Sequence, residues 1–297
     1  MNRLLRSQGY KGLAQTHKPL YHCFHPMEKF VEVRKLIADK NPKLLKWLPG
    51  FVIRWIEKII HQDRINAFMW ANKDADAFEF CEAAVKELNL KLSIKGMEHV
   101  PQPPQSCIFV SNHPFGGMDA ITIIHLLRDV RPDITFIVND LLMAVKNLKE
   151  KFVGVNKVGR SAAESLQKVE EQFASNTATF LFPSGLVSRK VHGEIMDLEW
   201  KKTFVTKAKK YGKPVVPVHI DGRLTNRFYR MARIRKFLGI KLNIEMFFLV
   251  DELFKQENKT VNIVIGEPVL PNTFTIEKND FEWAQWMKGE VYKLKEA

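Results

Sequence analysis

Short apolar runs alternate with helical patterns from about residue 106 to the end of the chain. Five runs rich in β-branched and aromatic residues are typical of buried strands: CIFVS at 107–111, ITFIV at 134–138, ATFLF at 178–182, VVPVHI at 215–220 and VNIVI at 261–265. Helical patterns lie at 119–127, 140–148, 161–173 and 200–211, and a final one begins at residue 280. This alternation predicts a single α/β domain in which helices flank a largely parallel, mixed sheet.

Before this region, the segment from 41 to 61 has an amphipathic helical pattern that Pro49 and Gly50 are expected to divide into two short helices. Two interpretations stay open. The helices pack on the core, or they form a monotopic segment in the membrane interface, which their tryptophans and flanking basic residues favour. No segment has the ~20 apolar residues that span a bilayer. The apolar positions of the amphipathic segment 41–61 are Leu44, Leu48, Phe51, Val52, Trp55, Ile56 and Ile59.

Two regions are therefore expected. Residues 1–100 form a helical N-terminal region with interfacial helices near 41–61, and residues 101–297 form the α/β domain, entered through the proline-rich linker VPQPPQ. The chain has 297 residues, of which 45% are hydrophobic, so it can bury a core as large as that of a folded enzyme.

The net charge narrows the class of partner. A formal charge of +13 favours an anionic partner: nucleic acid, an anionic membrane surface or a phosphorylated substrate. The three cysteines are Cys23, Cys81 and Cys107, and their spacing indicates neither a disulfide framework nor a zinc site. The basic N-terminus has no apolar core of a secretory signal. These features indicate a protein of the reducing cytoplasm.

The stretch NHPFGGMD, residues 112–119, stands between the first predicted strand and the first predicted helix. In open α/β sheets, ligands bind beyond the carboxyl ends of strands. Pro114 disfavours the helical conformation for His113, and the glycine pair 116–117 permits a turn that returns the imidazole toward Asp119. The aspartate can then bind one imidazole nitrogen and leave the other as a base. Alternatively, Asp119 only caps the helix and His113 is only a turn residue.

Four motifs in order resemble those of the glycerolipid acyltransferase superfamily, the lysophosphatidate acyltransferase type. The Asn-His followed by Asp resembles the family's first motif. GVNKVGR at 154–160, FPSG at 182–185 and VVPVHI at 215–220 resemble the second, third and fourth. Each block is weak alone, whereas four in order make a fairly specific signal. The combination of NHPFGGMD with FPSGLVSRK is most similar to a bacterial, hemolysin-like branch that acylates lysolipids, including lyso-forms of aminolipids.

The sequence departs from the family pattern at two blocks. His113 and Asp119 enclose five residues instead of the usual four, and the glycine pair between them is expected to absorb the extra one. In the third block, Ser184 replaces the usual glutamate, and a Leu-Val pair replaces the following Thr-Arg. Ser188 and Arg189 follow directly and are expected to supply the missing hydroxyl and charge.

The resemblance implies transfer of a fatty acyl group from acyl carrier protein or coenzyme A to the hydroxyl of a lysolipid, such as lysophosphatidate or a lyso-aminolipid. His113 would be the base and Asp119 its orienter, without a tightly bound cofactor or a metal ion. Backbone N–H groups of the 116–117 or 182–185 turn would stabilise the oxyanion. Arg160 and Arg189 are candidates to bind an anionic headgroup. The implied substrate-binding residues are Asn112, Gly116, Gly117, Arg160, Phe182, Pro183, Ser184, Gly185, Ser188 and Arg189.

The expected location is the cytoplasmic face of the inner membrane, with the protein bound peripherally to an anionic surface. A second basic segment, from 221 to 241, interleaves arginines with aromatic and aliphatic residues. This mixture suits a membrane-surface helix and also a nucleic-acid-binding patch, the main alternative from another functional class. A binding module would not need the His113 to Asp119 turn, so nucleic acid is not the expected partner.

Other enzymatic interpretations use the same pair or different groups. An N-acyltransferase or a hydrolase that uses His113 and Asp119 stays open, although the G-x-S-x-G turn of serine hydrolases does not occur in the sequence. Further histidines occur at positions 125, 192 and 219, but the histidine spacing matches no familiar ligand set, so no metal site is predicted.

Overall fold

The computed structural model describes residues 29–40, 42–139, 142–143, 145–155, 161–191, 193–239 and 244–296. Its N-terminal part is helical: α1 Val33–Lys40, α2 Pro42–Trp47, α3 Gly50–Ile59, α4 Gln62–Ala71 and α5 Ala77–Glu87. Strands and helices then alternate: β1 Lys91–Lys95, β2 Cys107–Ser111, α6 Gly117–Leu127, β3 Thr135–Asn139, β4 Phe152–Val155, α7 Ser161–Ala174, β5 Ala178–Leu181, β6 Arg189–Val191, β7 Glu194–Met196, α8 Thr203–Tyr211, β8 Val215–Asp221, α9 Asn226–Phe237, α10 Leu249–Phe254, β9 Thr260–Ile265 and α11 Asp280–Lys293.

Within these ranges, seven strands form one mixed sheet in the order β1-β9-β8-β2-β5-β3-β4. The five strands from β8 to β4 run parallel to one another, whereas β9 is antiparallel to β8 and parallel to β1. Strands β6 and β7 form a separate antiparallel hairpin. Because β2, β5 and β8 are adjacent and parallel, the segments that follow them meet at one edge of the sheet.

Two hydrophobic cores lie on the two faces of the sheet. Successive residues of β2 point to opposite faces, so Phe109 joins the core under α5, α6 and α9, whereas Ile108 and Val110 join the core under α7, α8 and α11. The apolar runs of the central strands are therefore continuous because both faces are covered. The predicted α/β fold class, with helices flanking a largely parallel mixed sheet, is confirmed.

Most predicted elements occur near their predicted positions. Each of the five predicted strands is present, and α2 and α3 are divided at Pro49 as expected. The predicted helix at 140–148 includes residues outside the described ranges, and a 3-10 helix occupies Lys146–Lys151. Strands β1, β4, β6 and β7 were not predicted. The division at residue 100 stays a prediction, but the sheet takes β1 from its N-terminal side.

Large apolar side chains remain exposed on α2 and α3. Trp47, Phe51 and Trp55 are 80%, 66% and 52% exposed, whereas Ile53 is buried against the protein. None of the described helices is both long and apolar enough to cross a membrane. One side of α3 therefore packs on the core, while the other presents aromatic residues to the surroundings. The helix is thus compatible both with packing on the core and with lying in a membrane interface.

A buried arginine anchors the segment before β2. Arg131, in the loop after α6, is fully buried. Its Nη1 donates to the carbonyl oxygens of Pro101 and Gln105, at 2.6 and 2.7 Å, and its Nε and Nη2 donate to Asp133, at 2.8 and 2.6 Å. Burial alone would raise the pKa of Asp133, but the hydrogen bonds and charge of Arg131 hold that pKa below its ordinary value.

We expect Arg131→Met to lower the free energy of unfolding by about 3 kcal/mol, because the substitution leaves a partly buried carboxylate without its ion-pair partner and two carbonyl groups without their donor. Arg128→Met is the matched control, since Arg128 pairs with Glu82 at the surface, where solvent screens the pair, and its loss should be much smaller. Urea unfolding measures both. A lowered pKa of Asp133 stabilises the fold above its ordinary pKa of 3.8 and less so below it, so the Arg131→Met deficit should shrink below that pH. Equal losses of unfolding free energy in Arg131→Met and Arg128→Met would contradict the anchoring role of Arg131.

Candidate active site

The turn after β2 is built around the carboxylate of Asp119. The helix α6 begins at Gly117, so Asp119 lies in its first turn. Its Oδ2 accepts hydrogen bonds from His113 Nδ1 at 2.9 Å and from the backbone N–H groups of Phe115 and Gly116, both at 3.0 Å. Gly116 has φ +84°, a conformation that side chains other than hydrogen disfavour. The glycine therefore lets the chain wrap around the carboxylate.

The geometry leaves His113 with a base at its outer nitrogen. Asp119 is fully buried, and this burial raises the pKa of its carboxyl while the His113 hydrogen bond opposes the rise. Because a carboxylate only accepts, Nδ1 of the imidazole carries the proton. The side chain of His113 is 15% exposed, and its Nε2 has no hydrogen-bond partner in the part of the chain that the structure describes. Nε2 therefore holds a free lone pair.

The third block forms a wall of the same turn. The backbone N–H of Ser188 donates to the carbonyl oxygen of His113 at 2.8 Å. The ring of Phe182 stacks on the imidazole, with centroids 4.0 Å apart and planes inclined by 22°. The ring of Phe182 in turn packs against that of Phe180 in the core, with centroids 5.2 Å apart. The structure thus brings the first and third blocks into direct contact, as adjacent strands β2 and β5 require.

Asn112 does not offer a free amide to a substrate. It is 3% exposed, its Nδ2 donates to the carbonyl oxygen of Ile220, and its Oδ1 accepts from the N–H of Ile220, both at 2.8 Å. The side chain thereby replaces a strand partner and joins the end of β2 to β8. Ile220 thus binds both polar atoms of the side chain, and the role of Asn112 in substrate binding stays a prediction.

Ser188 and Arg189 also point into the protein. The Ser188 hydroxyl donates to Asp197 Oδ1 at 2.6 Å. Arg189 Nη2 donates to the buried Glu245 at 3.0 Å, and its Nη1 donates to the carbonyl of Val187 at 2.7 Å. Burial lowers the pKa of Arg189, and the Glu245 charge opposes this. Both side chains are thus bound to groups of the protein itself, and their expected supply of a hydroxyl and a charge to the acceptor stays a prediction.

The FPSG turn is tight and lies beside a lysine that the sequence did not indicate. Gly185 donates its N–H to the carbonyl of Phe182 at 2.9 Å and has φ +65°. A β-carbon on Gly185 would lie 2.5 Å from Lys201 Nζ. The backbone N–H of Lys201 donates to the carbonyl of Pro183 at 3.1 Å, and the Ser184 hydroxyl donates to the carbonyl of Leu186 at 2.6 Å, so Ser184 closes the turn.

Some of the backbone N–H groups expected to stabilise the oxyanion already have acceptors within the protein. The N–H groups of Gly116 and Gly185 are already used, by Asp119 and Phe182. The N–H of Gly117, at the start of α6, has no acceptor among the described residues. Arg160 and His192 lie outside the described residues. The described residues contain no group of three His, Cys, Asp or Glu side chains that could hold a metal ion.

Comparison with known proteins identifies the family. A family model described as Acyltransferase matches residues 35–297. The chain belongs to this acyltransferase family. Two similar proteins, from Phocaeicola vulgatus and Bacteroides thetaiotaomicron, are each named lyso-glycine lipid O-acyltransferase. Each is 41% identical over 265 residues, which cover 89% of this chain and 95% or 97% of the relative. The resemblance to the glycerolipid acyltransferase superfamily, seen in the four motifs, is confirmed.

One solved structure also resembles this acyltransferase. The 1-acyl-sn-glycerophosphate acyltransferase PlsC from Thermotoga maritima is 22% identical and aligns with a TM-score of 0.48, over 89% of this chain and 94% of that chain.

We expect His113→Ala to abolish acyl transfer and Asp119→Asn to lower kcat by about 10²-fold to 10⁴-fold, because the carboxamide no longer fixes the Nδ1–H tautomer. His125→Gln, on the same helix as Asp119, is the control and should retain kcat within about three-fold. Initial rates are measured on variants with native circular dichroism. Wild-type turnover in folded His113→Ala would refute the role of the pair.

Proposed function

We propose that this acyltransferase esterifies the free hydroxyl of a lysolipid with a glycine headgroup, using an acyl thioester of acyl carrier protein or coenzyme A. The observation that carries the proposal is the His113–Asp119 pair, with Nδ1 held by a buried carboxylate and Nε2 unpaired within the described chain. The acceptor class is inferred from the names of the two relatives. No tightly bound cofactor is required, because the thioester itself is an activated acyl group.

The reaction follows from the position of the imidazole. Nε2 of His113 removes the proton of the acceptor hydroxyl as the oxygen attacks the thioester carbonyl, and the carbonyl π electrons move to its oxygen. When the tetrahedral intermediate collapses, the C–S bond breaks and the leaving thiolate takes the proton from Nε2. Asp119 stabilises the imidazolium between these steps. The enzyme returns to its starting state without an acyl-enzyme intermediate.

The start of α6 is the proposed oxyanion site. The N–H of Gly117 has no acceptor in the described structure, and the positive end of the α6 dipole lies there. Gly117 directly follows the turn that carries His113, and we propose that the oxyanion of an intermediate at Nε2 binds to this donor. A preorganised donor of this kind stabilises the developing negative charge without reorganisation.

The headgroup carboxylate requires a cation. Arg189 is buried and points into the interior against Glu245, so we do not propose it as the headgroup ligand. Lys201 brings its ammonium to the Gly185 turn, on the same block that stacks on His113. Arg160 remains a candidate from the sequence. We propose that Lys201 or Arg160 binds the carboxylate of the acceptor, because both can form charge-assisted hydrogen bonds with it.

We also propose that the exposed aromatic surface of α2 and α3 binds the cytoplasmic face of the inner membrane, on an anionic leaflet. On this surface the ring of Trp55 packs against that of Phe248, with centroids 6.3 Å apart. The next residue, Leu249, lies against Gly116, since a β-carbon built on that glycine would be 3.4 Å from the leucine side chain. The surface therefore adjoins the catalytic turn, where lipid substrates must arrive.

The end of α9 extends this surface. Ile234, Phe237 and Leu238 are exposed beside arginines, as on an interfacial helix. Phe228 and Tyr229 are buried, so the first turn of the helix belongs to the core.

Alternative activities give different products. A hydrolase would release free fatty acid because water replaces the hydroxyl, and an N-acyltransferase would form an amide. A nucleic-acid-binding protein would retain oligonucleotides and would not need the His113–Asp119 pair.

The proposed reaction is tested with purified protein, a thioester donor and two acceptors. We expect lyso-glycine lipid to be esterified at least about ten-fold faster than lysophosphatidate, with both donors tried, and His113→Ala to form no product. Mass spectrometry measures the ester and free fatty acid. Preference for lysophosphatidate would refute the headgroup, and thioester cleavage without lipid product would refute the transfer. In cells, deletion of the gene should cause the lyso-lipid to accumulate. Reintroducing the wild-type gene should reverse this accumulation, whereas reintroducing His113→Ala should not.

We expect Trp47→Gln/Phe51→Gln/Trp55→Gln to weaken binding to vesicles of phosphatidylethanolamine and phosphatidylglycerol at least about ten-fold, because each large apolar side chain contributes roughly 1.5–3 kcal/mol when fully buried. Vesicle sedimentation measures this.

The control for this variant is Leu270→Gln/Ile276→Gln/Phe281→Gln, which removes three exposed apolar side chains near the opposite edge of the sheet, where Val269 pairs with the start of β8. Its binding should be unchanged. Equal binding by the two triple variants would show that the aromatic surface is not the membrane contact.

A further inference from the structure

A second buried aspartate lies beside the catalytic turn but has no part in the proton transfer. Asp197 follows β7 and is 1% exposed. Its Oδ1 accepts hydrogen bonds from the backbone N–H of His113, at 3.2 Å, and from the Ser188 hydroxyl, at 2.6 Å. Its Oδ2 accepts from Trp200 Nε1 at 2.9 Å. Three donors from three segments thus converge on one carboxylate.

The backbone of Asp197 is anchored to α11. Its N–H donates to the Tyr292 hydroxyl at 2.7 Å, and its carbonyl accepts from Lys288 Nζ at 2.6 Å. Burial and the Asp197 charge raise the pKa of Tyr292, so this phenol stays neutral. The carboxylate is therefore held at a fixed position by the C-terminal helix.

His113 needs such an anchor because its backbone has left the sheet. Strand β2 ends at Ser111, so strand pairing does not satisfy the N–H of His113. Asp197 accepts this N–H, and the N–H of Ser188 satisfies the carbonyl on the other side of the Cα atom. Asp119 then fixes only the ring. With the backbone and ring both fixed, Nε2 has one position relative to a substrate.

We propose that Asp197 is a positioning residue, which holds the main chain of His113 in the productive geometry through its Oδ1 atom. The inference rests on the proposed role of His113 as the base. It assigns the two aspartates different tasks, since Asp119 orients the imidazole and Asp197 sets the place from which the imidazole extends.

The variant Asp197→Asn tests this through the direction of its carboxamide. The Trp200 N–H can only donate, whereas the Ser188 hydroxyl can also accept. The amide therefore turns its oxygen to Trp200 and its NH₂ group to Ser188, which leaves the His113 N–H facing a donor. We expect kcat to fall at least about ten-fold while KM for the lysolipid stays within about three-fold, because the base moves and the acceptor site does not.

A second variant reverses the defect. In Asp197→Asn/Trp200→Phe the indole donor is gone, so the amide oxygen turns back to His113 and Ser188. We expect kcat to return to within about three-fold of Trp200→Phe alone, which is the matched control because it removes a hydrogen bond from the same carboxylate without affecting His113. A purely structural role for Asp197 predicts no such recovery.

The assays use the complete chain, lyso-glycine lipid and whichever thioester supports the wild type, with His113→Ala in parallel. If His113→Ala is inactive but Asp197→Asn retains the kcat of Trp200→Phe, or the double variant does not recover, the positioning role is overturned while the proposed function stands. If His113→Ala is active, the role of His113 as the base and the positioning role of Asp197 are both overturned. If the wild type forms no ester, the proposed function itself fails. Should Asp197→Asn not fold, Asp197→Glu keeps the charge but shifts the carboxylate by a methylene group, and wild-type kcat in that folded variant overturns the inference.

Discussion

A carboxylate that is completely removed from water is stable only where donors replace its hydration, and at Asp119 this requirement shapes the whole turn between β2 and α6. The imidazole of His113 and two successive backbone N–H groups supply those donors. Gly116 has φ +84° at the point where the chain wraps around the carboxylate, a conformation that glycine adopts without strain. The same carboxylate that needs the imidazole as a donor also makes its outer nitrogen the basic one. The pairing of His113 with Asp119 thus follows from how the turn places donors around one oxygen of a buried carboxylate.

The third block departs from its family pattern at residues that pack inside the protein. At the position where relatives of the superfamily carry arginine, Val187 is buried and would lie 3.4 Å from a β-carbon on Gly116. The nearby Arg189 is paired with Glu245 and stacks over Phe228. The block therefore packs against the catalytic turn and ties it to α9. A different acceptor headgroup is compatible with this change, because the loss of an arginine at the site removes a bidentate partner for phosphate.

The sequence predicted those parts of the fold and site that depend on local patterns. Continuous apolar runs identified the central strands, and the glycines and proline around His113 identified the turn. The edge strand β1 escaped prediction because its KLSIK sequence carries lysines at both ends, as edge strands do. The internal partners of Asn112 and Arg189 escaped because Ile220 and Glu245 lie 108 and 56 residues away and no local pattern marks them. Asp197 gave no signal for the same reason, since its partners come from several distant segments.

The position of the exposed aromatic residues relative to the sheet connects the fold to the chemistry. A parallel sheet collects its loops at the carboxyl edge, so the His113 turn, the FPSG turn and the segment after β8 share one end of the molecule. Trp55, Phe248 and Leu249 form a continuous contact path from α3 to that same end. An enzyme oriented by such a surface would receive a lysolipid whose acyl chain never leaves the bilayer. The lysolipid hydroxyl would then need to move from the membrane surface only as far as Nε2 of His113. The hydrophobic cost of extracting the lipid, about 0.8 kcal/mol per CH₂ group, would be avoided.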